Sequence, residues 1–216
     1  MIKAVIFDID GVLLDSMEAN IAFFQDLLQS AGYRKPSRKI IKENFHLTMI
    51  EMIKALLPRA SEKEILRAWN MGKTTDRKKY RELSKIPDRS AETIRKLSRK
   101  YRLGIVTGRI RAGVDSFFDV CKTRKYFSAV ACFEDYEKPK PDAEPLLCAL
   151  KKLGTKPEEA VYVGDAIIDM QAAKAAGTHF ILYSKKKIKG AKYMARSFYQ
   201  MPEIISGIEG AGQNDK

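Results

Sequence analysis

Five short apolar runs rich in β-branched and other strand-forming residues constrain the fold more than any other feature of the chain. They are Lys3–Phe7, Leu103–Thr107, Ala129–Phe133, Ala160–Val163 and His179–Tyr183. None alternates apolar with polar, so each reads as a strand buried on both faces. Helical patterns precede and separate the last four: Ala91–Lys100, Gly113–Val120, a Leu146, Leu147, Leu150, Leu153 stripe closed by Gly154, and Ile167–Ala176 closed by Gly177. Glycine after the last helical turn is a common C-terminal stop. Strands alternating with helices imply βαβ units, and hence a Rossmann-like parallel sheet with helices on both faces, an α/β fold.

The interval from Met17 to Ile86 breaks that rhythm. It holds no strand pattern but four helical ones, over Ala19–Ala31, Arg38–Glu43, Met49–Leu57 and Ser61–Lys79. The expected organisation is an α/β core from residues 1–16 and 87–210, an inserted all-helical cap from 17–86, and a flexible polar tail at 211–216. At 216 residues the chain is long enough to bury such a core. No apolar stretch approaches the ~20 residues of a membrane span. MIKAVIFDID reads as a strand ending in carboxylates instead of a leader, so a cytoplasmic setting is expected. Cys121, Cys132 and Cys148 form no CxxC and read as reduced thiols.

The chemistry-bearing residues fall at the ends of the strands. The first run ends in Asp8-Ile9-Asp10-Gly11; residues i and i+2 of an extended chain point the same way, so both carboxylates leave the strand's C-terminal end together. That is the edge where open α/β sheets bind ligands. Two like charges so close call for a cation or a shared proton. Thr107-Gly108 offers a hydroxyl and a backbone N–H, which suit a phosphate cradle or simply a turn. In Lys138-Pro139-Lys140-Pro141-Asp142 the prolines stiffen the loop, so Lys138 is either a fixed positive charge at the site or a solvated surface lysine. Gly164-Asp165 with Asp169 four residues on suits a hard, oxygen-ligated cation such as Mg²⁺; otherwise Asp165 caps a helix.

Taken in order, Asp8-x-Asp10-Gly11-Val12-Leu13-x-Asp15-Ser16, Thr107-Gly108, Lys138-Pro139-x-Pro141-Asp142 and Gly164-Asp165-x-x-x-Asp169 resemble the four motifs of the haloacid dehalogenase superfamily. The inserted helical segment is similar to that of its phosphoglycolate phosphatase and β-phosphoglucomutase subgroup. The resemblance implies a phosphatase acting on a small phosphorylated metabolite, with Asp8 as nucleophile and Asp10 as general acid and base. It implies that Thr107, Gly108 and Lys138 bind the phosphoryl group. It also implies that Asp8, the Asp10 carbonyl and Asp165 hold Mg²⁺, with Asp169 supporting them from outside. Asp10 favours phosphate esters over haloacids, because a halide leaves without a proton. A phosphomutase and a non-catalytic nucleic-acid binder are the alternatives.

Where many capped relatives carry Asn, this chain has Gly108 followed by Arg109. Arg109 either binds a second anionic group or faces solvent. His46 in the cap is either a substrate contact or an exposed loop residue. Lys and Arg total 40 against 27 Asp and Glu, a net +13 that favours anionic partners without choosing one. Lys185, Lys186, Lys187, Lys189 and Lys192 crowd one segment, but no aromatic is interleaved within Lys185–Lys189; the run reads as a solvated face, not a nucleic-acid site.

Overall fold

The computed structural model describes residues 1–211. Its elements run β1 (Ala4–Phe7), α1 (Met17–Ser30), α2 (Arg38–Glu43), α3 (Met49–Leu56), α4 (Glu62–Thr74), α5 (Ser90–Leu97), β2 (Arg102–Val106), α6 (Arg111–Cys121), β3 (Phe127–Ala131), α7 (Glu144–Leu153), β4 (Ala160–Gly164), α8 (Ile167–Ala176), β5 (His179–Tyr183), β6 (Tyr193–Ala195) and α9 (Met201–Ala211). All strands pair in parallel, in the order β3-β2-β1-β4-β5-β6. The strand order turns back at β1, so the crevice between β1, β2 and β4 is where a ligand site is expected in such a sheet.

Both faces of the sheet are covered, as the continuous apolar runs require. On β1, Val5 and Phe7 face one core with Ile94, Phe117 and Ile205, whereas Ala4 and Ile6 face the other with Leu146, Leu150 and Ala172. All four β1 residues are fully buried. Gly154 and Gly177 end α7 and α8 in left-handed conformations.

Several boundaries differ from the sequence expectation. β3 begins two residues earlier than expected, at Phe127, and Phe133 lies beyond its end in a short 3₁₀ turn. The helix expected over Ser61–Lys79 stops at Thr74, and Lys78–Leu83 form a 3₁₀ turn. A sixth strand, β6, was too short to give a pattern. α9 was not anticipated, and it takes in Ala211, which was expected in the tail. The rest of that tail, residues 212–216, lies outside the described residues.

The helices α1–α4 form their own apolar cluster around Phe23, Leu28, Ile41, Met52 and Ala68. α3 and α4 start on Thr48-x-x-Glu51 and Ser61-x-x-Glu64, whose glutamates accept from the Thr48 and Ser61 backbone N–H groups at 2.9 and 2.8 Å. The two chain crossings into this helical layer are tied together: Asp15 and Lys85 exchange backbone hydrogen bonds at 2.9 Å each. Trp69 on α4 packs edge-on against Phe133, 6.1 Å between ring centroids, which joins the cap to the loop after β3. No helix among the described residues is long and apolar enough to cross a membrane.

Candidate active site

Asp8 extends the β1 ladder by one bond, its N–H donating to the Val163 carbonyl at 2.9 Å. The chain then turns through Gly11, where φ is +76° and an added Cβ would lie 2.1 Å from Asp165 Oδ2. Only glycine tolerates both the conformation and the approach. The turn brings the ends of β1 and β4 together. Carboxylate oxygens of Asp8, Asp165 and Asp169 all lie within 4.8 Å of one another.

The cation facing this group is not the one expected. Lys140 Nζ donates to Asp8 Oδ2 and Asp169 Oδ1, both at 2.7 Å, and to the Tyr162 hydroxyl at 3.1 Å, with its side chain only 7% exposed. Lys138, assigned to this place from the sequence, is exposed. The loop explains the exchange: the N–H groups of Glu137 and Lys138 are held by the Glu144 carboxylate at 2.8 and 3.0 Å, at the start of α7. That anchor leaves Lys138 outside and carries Lys140 inward. Two Lys-Pro dipeptides stand two residues apart in the sequence; only the distance to Glu144-Pro145, where α7 begins, distinguishes them.

Asp169 is fully engaged. Its Oδ1 accepts from Lys140 and Tyr162, and its Oδ2 accepts from the N–H groups of Asp165 and Ala166 at 3.1 and 3.0 Å. With the lone pairs of both oxygens occupied, Asp169 suits the role of holding Lys140 and the Asp165 loop in place. Tyr162, the buried hydroxyl that completes the contact, was missed because it sits inside an apolar strand run.

Asp8 and Asp10 occupy opposite electrostatic settings. Burial, joined by repulsion from Asp169 and Asp10, raises Asp8 to about 7 despite Lys140. Burial likewise raises Asp165 to about 8, with Asp169 and Asp8 adding to the effect. Burial also pushes Asp10 upward, but its Arg109 partner and the Ser16 hydroxyl outweigh this and hold it below the usual carboxylate range. Arg109 grips Asp10 with both edges, Nε to Oδ2 at 2.7 Å and Nη2 to Oδ1 at 2.6 Å. Ser16 and Asn20 complete the corner. Arg109 therefore neither faces solvent nor stands free for a substrate, the two roles considered from sequence.

Thr107 is buried at the end of β2, its hydroxyl accepting from the Arg109 N–H at 3.3 Å. Among the described residues the Gly108 N–H donates to no protein acceptor. A Cβ at Gly108 would sit 3.4 Å from Thr48 Cγ2, in van der Waals contact with the cap where α3 starts.

These groups line a cavity of about 260 Å³ between core and cap. Asp8, Asp10, Gly108, Arg109, Lys140, Asp165 and Asp169 form its floor, and Phe23, Phe24, Met49, Met52 and Arg77 come from the cap side. His46 is an exposed residue of its wall, and the lysines at 185–192 are exposed outside it. The donor set fits Mg²⁺: Asp8 and Asp165 are clustered oxygen donors whose raised pKa values mark a site short of positive charge. The Asp10 carboxylate lies outside that cluster, turned to Arg109.

The arrangement is thus a parallel sheet with clustered carboxylates and a buried lysine at its switch point, beneath an inserted layer of helices. The haloacid dehalogenase-like hydrolase model matches residues 5–183, and the chain belongs to that family. The chain is 30% identical over 178 residues to the pyrophosphatase PpaX of Bacillus velezensis, covering 82% of this chain and 81% of the relative. A haloacid dehalogenase-superfamily hydrolase of Geobacter sulfurreducens superposes with a TM-score of 0.72 at 30% identity, covering 94% and 96% of the two chains. The β-phosphoglucomutase of Clostridium difficile shares the fold, with a TM-score of 0.83 at 19% identity and 98% of each chain covered. The chain is thus a hydrolase of the phosphatase type.

Proposed function

We propose that the protein is a Mg²⁺-dependent phosphatase that hydrolyses small phosphorylated metabolites through an aspartyl-phosphate on Asp8. The observation that carries this reading is the Asp8 carboxylate on the floor of the cavity between core and cap, held at 2.7 Å by Lys140, with a Gly108 N–H on the same floor that donates to no acceptor among the described residues. Lys140 favours the anionic form of Asp8 against its burial and orients it for attack on phosphorus. The Thr107 hydroxyl and Gly108 N–H receive the phosphoryl oxygens, where charge spreads in the transition state. Asp8, Asp165 and the Asp10 carbonyl would hold Mg²⁺, which when bound supplies charge neutralisation to the phosphoryl oxygens.

Asp10 is the residue positioned to serve the leaving oxygen and then the hydrolytic water. Its ion pair with Arg109 keeps it unprotonated, which makes it a weak acid catalyst for a strongly basic alkoxide. A phosphoanhydride, whose leaving phosphate needs little protonation, is therefore a second reading. The similarity to the pyrophosphatase PpaX points the same way.

The test is phosphate release from a panel of phosphate esters and inorganic pyrophosphate, with Mg²⁺ and with EDTA, beside Asp8→Asn. Metal-dependent release abolished in the variant is expected. Absence of release from every compound by folded, Mg²⁺-supplied protein would refute the phosphatase reading.

A further inference from the structure

One half-buried cation of the cavity pairs with no anion among the described residues. Arg77 lies between the end of α4 and the 3₁₀ turn at Lys78–Leu83, and its guanidinium reaches the cavity from the cap side. The group stacks 4.0 Å above the Phe23 ring. Its only polar contact among the described residues is Nη2 to Met49 Sδ at 3.4 Å, a weak acceptor. No carboxylate or carbonyl oxygen among the described residues accepts from it. Lys140 and Arg109, by contrast, are fully matched by Asp8, Asp169 and Asp10.

A half-buried arginine held against Phe23 and Met49, at the edge of an otherwise apolar stretch of cavity wall, gains from an anion that joins it there. Burial and repulsion from Arg109 lower its pKa only to about 10, so it stays charged near neutrality. The planar fork matches a carboxylate or a phosphate with two parallel hydrogen bonds. The cavity, about 260 Å³, is below the ~300–1,000 Å³ that houses drug-sized ligands, so the leaving portion is small.

We propose that Arg77 binds a second anionic group carried by the leaving portion of the substrate, making it the cap's specificity determinant for doubly anionic phosphate compounds. The inference rests on the phosphatase reading of the same cavity. The shared chemistry is a small phosphate compound whose leaving portion ends in a carboxylate or a phosphate. Short phosphorylated hydroxy acids and inorganic pyrophosphate both satisfy it, and their relative kcat/KM values tell which source the cavity prefers.

The test compares these two substrates with a neutral-alcohol phosphate of similar size in the unmodified protein, Arg77→Gln and Arg77→Lys. The preference for the anionic substrates should fall about 10- to 100-fold in Arg77→Gln, mainly through KM, and recover in part in Arg77→Lys. An unchanged preference in a variant with an unaltered thermal transition would overturn the proposal. A binding arm separates this outcome from failure of the phosphatase reading. In the Asp8→Asn background, calorimetry should show Arg77→Gln weakening inorganic pyrophosphate by about tenfold or more while weakening inorganic phosphate much less. Equal effects on the two anions, or none, would contradict the role of Arg77 whether or not any substrate is turned over.

Discussion

The core and the cap build their halves of the cavity in different ways. On the core side both cations are answered, Lys140 by Asp8, Asp169 and Tyr162, and Arg109 by Asp10, and it is the Asp8–Asp165 carboxylate pair that is left short of positive charge. These contacts sit on strand ends whose backbone is already committed to the sheet. The cap side is a largely apolar wall, with exposed Lys42 and His46 at its edge and the Arg77 guanidinium, which pairs with no anion among the described residues. A floor whose cations are already matched suits chemistry common to many substrates, whereas an unmatched cation on the wall suits recognition of one kind. Catalysis and selectivity are therefore expected to respond to mutation separately.

The largest effect should come from the floor. Asp8→Asn is expected to reduce turnover by at least about 10⁴-fold, checked by phosphate release, because no other group can take its place as nucleophile. Next comes the lysine pair. Lys140→Ala should lower kcat by about 10²–10³-fold, as expected for loss of a fixed charge on the transferring group. Lys138→Ala, at an exposed position, should stay within about twofold. Reversed effects for the two lysines would break the account of how the loop is anchored.

The pH dependence of metal binding sharpens the same contrast. In the metal-free protein Asp8 and Asp165 are raised to about 7 and about 8, so the folded state holds their protons more tightly than the unfolded chain does. Their contribution to stability is fully present below the ordinary carboxylate range and is lost as pH rises through those values. A cation that binds only the ionised carboxylates should restore stability over the same interval. Added Mg²⁺ should therefore raise Tm more at about pH 8 than at about pH 6, each further kcal/mol of binding being worth about 2–4 °C at this chain length. A shift independent of pH would argue against these two carboxylates as the ligands.

The smallest effect should come from the cap's outer surface. Ser61→Ala removes the N-cap of α4 and should cost about 1 kcal/mol in thermal unfolding. Because Ser61 does not line the cavity, kcat should not change.

What the sequence made legible follows the same division. β1, β4 and β5 read clearly because strands buried on both faces leave uninterrupted apolar runs; Asp8 and Asp165 sit just beyond the ends of β1 and β4, and Asp169 follows in the first turn of α8. β6 was illegible, being only three residues after a lysine-rich loop. Lys138 and Lys140 could not be told apart because they repeat the same dipeptide in an irregular loop. What separates them is the Glu144 carboxylate, a contact that periodicity does not carry. The Asp10–Arg109 pair joins residues 99 positions apart, and Arg77 meets Phe23 only after the cap has folded. Local pattern located the strand ends and their carboxylates; long-range packing chose which cations answer them.

The central claim is that Asp8 carries the phosphoryl group. The most direct measurement is rapid acid quench of the unmodified protein turning over a radiolabelled phosphate substrate with Mg²⁺, followed by peptide mapping of protein-bound label. One hydroxylamine-labile phosphate per chain, on the peptide containing Asp8 and absent from Asp8→Asn, is predicted. Full turnover with no label on the protein at any quench time, or label on another residue that persists in Asp8→Asn, would contradict it.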